Sequence, residues 1–113
     1  MSQWLFLQNE QQLKELNEQS YNGKGVGIFK HSSRCLISAM ARRKMEKGLA
    51  NLPEDLSVYY LDIIQLRKLS QKVAEYYDIQ HESPQLLLIK EGQCIYHTSH
   101  QGVSPRVLLE HSL

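Results

Sequence analysis

Val26-Gly27-Ile28-Phe29-Lys30-His31-Ser32-Ser33-Arg34-Cys35-Leu36-Ile37-Ser38 carries an apolar run into a cysteine and then into an amphipathic pattern. Val26 to Phe29 has the unbroken apolar character of a strand covered on both faces. Beyond Cys35, the residues Ile37, Met40, Ala41, Met45 and Gly48 recur near helical spacing, while Arg42, Arg43, Lys44 and Lys47 lie elsewhere around the helix. Cys35 therefore stands at a strand-to-helix junction. A helix start leaves its first N–H groups unpaired and carries partial positive charge, which favours a thiolate over a thiol. Arg34 adds a full charge next door. Ser38 occupies the place where a Cys-x-x-Cys motif would have its second sulfur, so the arrangement is Cys-x-x-Ser with a single attacking sulfur.

Outward from that junction, Asn51 to Asp55 reads as a turn and Leu56 to Leu61 as a second central strand ending at Asp62. The two strands and the helix between them form a βαβ unit. Upstream, Trp4 to Leu7 reads as a short edge strand, Asn9 and Gln12 as a capping box, and Glu10 to Gln19 as a helix. Downstream, Leu66, Leu69, Val73 and Tyr77 mark a third helix, followed by a turn at His81-Glu82-Ser83-Pro84. Gln85 to Lys90 and Gln93 to His97 flank Glu91-Gly92 as a hairpin, and Ser104-Pro105 opens a last short helix. The order β-α-β-α-β-α-β-β-α with right-handed crossover gives an α/β class. Its central mixed sheet has four to five strands, with helices on both faces. This order resembles a thioredoxin fold. In that fold Cys35 falls beyond the carboxyl end of a central strand, where open α/β sheets bind ligands. Ser83-Pro84 falls where thioredoxin-like proteins carry a cis-proline facing the reactive sulfur.

Composition narrows the function classes. At 113 residues, read as one domain spanning 1–113, the chain buries roughly 65% of its unfolded surface and needs no disulfide or metal staple. Lys+Arg 13 against Asp+Glu 12 gives no global field toward nucleic acid or an anionic membrane. Met1-Ser2-Gln3-Trp4 lacks a basic segment followed by a long apolar run, and no stretch approaches the roughly 20 apolar residues of a membrane span, so a cytoplasmic location is expected. Cys35 and Cys94 are far apart and do not make a secreted disulfide framework. Cys94, within a strand beside Ile95, reads as a structural thiol ahead of a resolving one. A zinc site at His31, Cys35, Cys94 and His97 is disfavoured, because strand residues three apart project to opposite faces.

The chain is similar to the YtxJ-like, or bacilliredoxin-type, monothiol redox proteins. The likeness is carried by Phe29 to Ser38, by His81-Glu82-Ser83-Pro84-Gln85, and more weakly by His97-Thr98-Ser99-His100. Where that family usually reads Cys-Pro-Ile-Ser, this chain has Leu36 in place of proline. The resemblance implies a catalytic Cys35 that removes a low-molecular-weight thiol such as bacillithiol from protein mixed disulfides. It implies support from Arg34, Ser38 and His31, and a substrate-binding role for Ser83 and Pro84. Expected partners are S-thiolated client proteins and a small thiol or a reductase, with no metal and no tightly bound cofactor. Ser38 is expected to bond either a carbonyl of its own helix or the Cys35 sulfur. His31 is read as a packed residue ahead of an acid or base. Arg34 and the basic helix face would attract the carboxylates of the small thiol. Two other classes fit the same residues: a thioredoxin-fold interaction module without catalysis, and a carrier of an iron–sulfur cluster like some monothiol glutaredoxins.

Overall fold

A computed structural model describes residues 4–112 of the chain. Met1 to Gln3, part of the stretch read for a leader, lie outside the described residues. The strands are β1 (Leu5–Phe6), β2 (Gly25–His31), β3 (Leu56–Asp62), β4 (Gln85–Lys90) and β5 (Gln93–Ser99). The helices are α1 (Glu10–Gln19), α2 (Leu36–Gly48), α3 (Arg67–Tyr76) and α4 (Pro105–His111). The five strands lie in the order β1-β3-β2-β4-β5. β3 runs parallel to both β1 and β2, whereas β4 is antiparallel to β2 and β5. This is the expected thioredoxin fold.

Alternation along β2 divides the core into two layers. Val26 and Ile28 join Leu13 and Leu16 of α1 and Leu69 and Val73 of α3 on one face. Phe29 joins Ala41 and Met45 of α2 and Leu108 of α4 on the other. Gly27 lets α4 pack close against β2, since a Cβ there would stand 3.2 Å from Leu108 Cδ1. β2 is buried along its whole length from Gly25 to His31, so it extends past the apolar run and takes Lys30 and His31 inside.

Local signals account for the element ends. Asn9 caps α1, its side chain accepting from Gln12 N–H at 2.8 Å. Gln12 reaches back to Gln8 N–H, one residue earlier than a capping box has it. The α2 stripe differs from expectation. Ala41 and Met45 are buried as expected, but Ile37 and Met40 are exposed and Ser38 joins the buried stripe in their place. Beginning the helix at Leu36 rotates the buried stripe onto a serine, which a hydropathy pattern passes over.

In the β4–β5 turn, Glu91 (φ 52°) and Gly92 (φ 77°) both occupy the left-handed region, as a two-residue type I′ hairpin requires. Their N–H groups donate to Ser20 O at 2.8 Å and Ser20 Oγ at 2.9 Å, tying the turn to the end of α1. Glutamate is poorly suited to that backbone. Glu91→Asn is expected to raise stability by about 1 kcal/mol, read as a higher urea midpoint at unchanged slope; an unchanged or lower midpoint contradicts this account of the turn.

Candidate functional site

Cys35 is the N-cap residue of α2, four residues beyond the end of β2. Its N–H donates to Ser32 O at 3.2 Å and its carbonyl accepts from Ala39 N–H at 3.0 Å, closing the first helical turn. The thiol is half-buried and free. The N–H groups of Leu36, Ile37 and Ser38 precede that first helical bond, so they are the open donors of the helix start. Leu36 does not displace the helix start, and its side chain is 77% exposed.

Ser38 and His31 meet beneath this turn. Ser38 Oγ accepts from Ser32 N–H at 2.9 Å and lies 2.8 Å from His31 Nδ1. Neither bond expected for Ser38 is the one it makes: its hydroxyl points toward the sheet and is fully buried, away from its own helix carbonyls and the Cys35 sulfur. His31 is buried against the rings of Phe29 and Tyr60. Burial, with the Arg42 guanidinium, holds its pKa below the usual imidazole value, so the ring is neutral at pH 7. His31 is thus a packed brace for the 32–34 loop.

Ser83 and Pro84 lie at the same end of the sheet. The antiparallel register pairs Lys30 with Gln85. The chain entering β4 at Pro84 therefore runs beside the chain leaving β2 at His31. The Ser83–Pro84 bond is cis, as that position in a thioredoxin-like chain leads one to expect. Pro84 O accepts from His100 N–H at 2.9 Å. Ser83 Oγ is buried and has no hydrogen-bond partner among the described residues.

Lys30, to which the sequence reading gave no role, is fully buried. Its Nζ donates to Ser70 O at 3.2 Å and lies 3.1 Å from His81 Nδ1. No carboxylate pairs with it among the described residues. Burial pushes its pKa down to about 8. Gln85, its buried cross-strand neighbour, donates from Nε2 to Gln80 O at 2.9 Å and accepts from Glu82 N–H at 3.4 Å. The signal was present in the sequence: a lysine directly extends an apolar run read as buried on both faces.

The other expected groups are more peripheral. Arg34 is exposed beside Cys35. Arg42 pairs with Glu46 at 3.1 Å and lies over the Tyr60 ring at 5.2 Å, and Lys44 donates to Gln101 O at 3.1 Å. Two cations of the supposed ligand-attracting face are therefore already engaged. Cys94 Sγ contacts Tyr96 O at 3.4 Å, and burial pushes its thiol pKa up to about 11. That favours a structural role over a resolving one. Among the described residues, no three His, Cys, Asp or Glu side chains gather closely enough to hold a metal ion, and no helix is long and apolar enough to cross a membrane.

Comparison with known proteins agrees with this geometry. The family described as monothiol bacilliredoxin BrxC matches residues 6–108. A solved structure assigned as an oxidoreductase with a thioredoxin fold is 30% identical, with a TM-score of 0.80 over 94% of this chain and 90% of its own. Thioredoxin Mala s 13 of Malassezia sympodialis is 19% identical, with a TM-score of 0.76 over 100% of this chain and 94% of its own. Thioredoxin NaTrxh of Nicotiana alata is 16% identical, with a TM-score of 0.75 over 97% and 93%.

Both buried polar groups generate expectations. Ser38→Ala strands Ser32 N–H and His31 Nδ1 and should lower stability by about 1–3 kcal/mol, measured as a reduced urea midpoint at pH 7. A midpoint within error of the parent would remove the brace. The Lys30 pKa is lower folded (about 8) than in its ordinary state (10.5), so below pH 8 the buried charge opposes folding, and above 10.5 it does not. Lys30→Met should therefore be more stable than the parent by about 3 kcal/mol near pH 7, an advantage that vanishes between about pH 8 and 10.5. A pH-independent difference would refute the assignment.

Proposed function

The chain belongs to the monothiol bacilliredoxin family, and from that premise we propose that Cys35 removes a low-molecular-weight thiol of the bacillithiol kind from protein mixed disulfides. The observation that carries this reading is the free, half-buried sulfur at the α2 N-cap, with no second sulfur in the first turn, where Ser38 stands and is committed to the core.

The exchange needs one sulfur. The Cys35 thiolate attacks the small-thiol sulfur of the mixed disulfide; that S–S bond breaks, and its electron pair leaves with the client cysteine as a thiolate. A new disulfide joins Cys35 to the small thiol. A second small-thiol thiolate, or a reductase thiol, then attacks the capping sulfur, and Cys35 leaves as a thiolate. Cys35 bears negative charge before the first attack and after the second, beside the open N–H groups of the α2 start. Exposed Leu36 gives the client an apolar surface next to Cys35. Ser83 offers its backbone edge, and Pro84 adds no competing N–H. The unpartnered Ser83 hydroxyl supports an occupied role for this loop in the complex. S-thiolated proteins are then the clients, and the chemistry needs no bound cofactor.

Release of client thiol from a bacillithiol-capped protein should be abolished by Cys35→Ser and stay within about twofold of the parent in Cys94→Ser, since a strongly protonated thiol is a poor nucleophile. Mass spectrometry of the parent should show one small-thiol adduct, on Cys35. Turnover retained by Cys35→Ser, or lost with Cys94→Ser, would overturn the assignment.

A further inference from the structure

We infer that Lys30 is a positioning residue for the exchange: from inside the sheet, its ammonium holds His81 and so fixes the 80–84 loop against which the mixed-disulfide chain lies. The inference rests on the functional reading above and adds a residue that acts through another.

The argument begins with the face that Lys30 shares. Lys30 and Gln85 are opposed across β2 and β4, so their side chains project from the same side of the sheet. Along β4 that side continues as Leu87 and Ile89, and along β2 it begins as Val26 and Ile28, all apolar. A fully buried lysine and glutamine at the end of an apolar layer are costly unless their polar atoms are used. Both are used on the same short segment: Gln85 grips Gln80 O and Glu82 N–H, and Lys30 reaches His81 between them. The segment leads directly into Ser83 and Pro84.

The chemistry of the contact fixes its direction. An ammonium can only donate, so His81 Nδ1 must accept, and the ring carries its proton on Nε2. Partial burial of the ring and the neighbouring Lys30 charge keep the His81 pKa below the usual imidazole value, which leaves Nδ1 free to accept at pH 7. Ser70 Oγ, 3.3 Å from the same nitrogen, is oriented by the same requirement. Ser70 O takes a second Lys30 proton, so α3 and the loop are held by one cation. His81 itself is exposed. Its ring therefore reports the contact without being needed for the core.

Three variants test this in the full chain, with a bacillithiol-capped client as substrate and iodoacetamide as a small probe of Cys35. Lys30→Met and His81→Ala should raise KM about 10-fold with kcat nearly unchanged, the factor expected from losing one hydrogen bond to a charged group. Iodoacetamide does not need the loop, so its rate with Cys35 should stay within about twofold. His81→Asn places Oδ1 where Nδ1 stood and should restore KM. Independently of turnover, hydrogen exchange at the amides of Glu82 and Ser83 should accelerate in Lys30→Met and His81→Ala, but not in His81→Asn. An unchanged KM, equal losses in alkylation and turnover, or unchanged exchange would each overturn the positioning role. A parent protein that fails to release client thiol would instead overturn the proposed function, and the exchange measurement would still decide whether Lys30 holds the loop.

Discussion

Burial of β2 on both faces is the constraint from which the rest of the site follows. The strand carries its last two residues, Lys30 and His31, into the interior, and alternation sends them to opposite layers. Each must find partners there, because an unsatisfied buried polar group is expensive. His31 finds Ser38, which also takes Ser32 N–H and so fixes the loop that delivers Cys35. Lys30 finds Ser70 and His81, beside the loop that delivers Pro84. Two consecutive residues thus hold two loops, one from each side of the sheet.

The two anchors have different energetics. The His31–Ser38 pair is neutral, and its bonds are those of an ordinary satisfied core. Lys30 keeps a charge with no carboxylate partner among the described residues, and bonds from a charged donor offset only part of its lost hydration. Stability and loop order are set against each other at this position, in the way functional sites commonly retain locally unfavourable residues.

Much of this could be read from residues alone. The apolar run before Cys35, the second strand at Leu56 and the Glu91-Gly92 turn determine a βαβ unit and a hairpin, and their order gives the sheet. Cys35 at a helix start and Ser83-Pro84 at a hairpin entrance were legible for the same reason: each is placed by an element boundary. The misreadings have one cause. Periodicity ranks residues by hydropathy, so it places Ile37 and Met40 inside and offers Ser38 only local bonds. Which polar residue is buried depends on partners distant in sequence, such as His31 for Ser38 and His81 for Lys30, and no local pattern encodes those pairs.

Leu36 alters the ground on which the sulfur stands. Proline at the first helical position would come with its φ already set and without an N–H. Leucine starts the helix at the same residue, but it contributes an additional amide to the first turn and must be ordered from a freer unfolded backbone. The first turn beside Cys35 in consequence has one more N–H group and a less preorganised backbone than its proline counterpart. The order of that turn therefore depends more on how firmly the Ser32–Ser38 bond holds it closed.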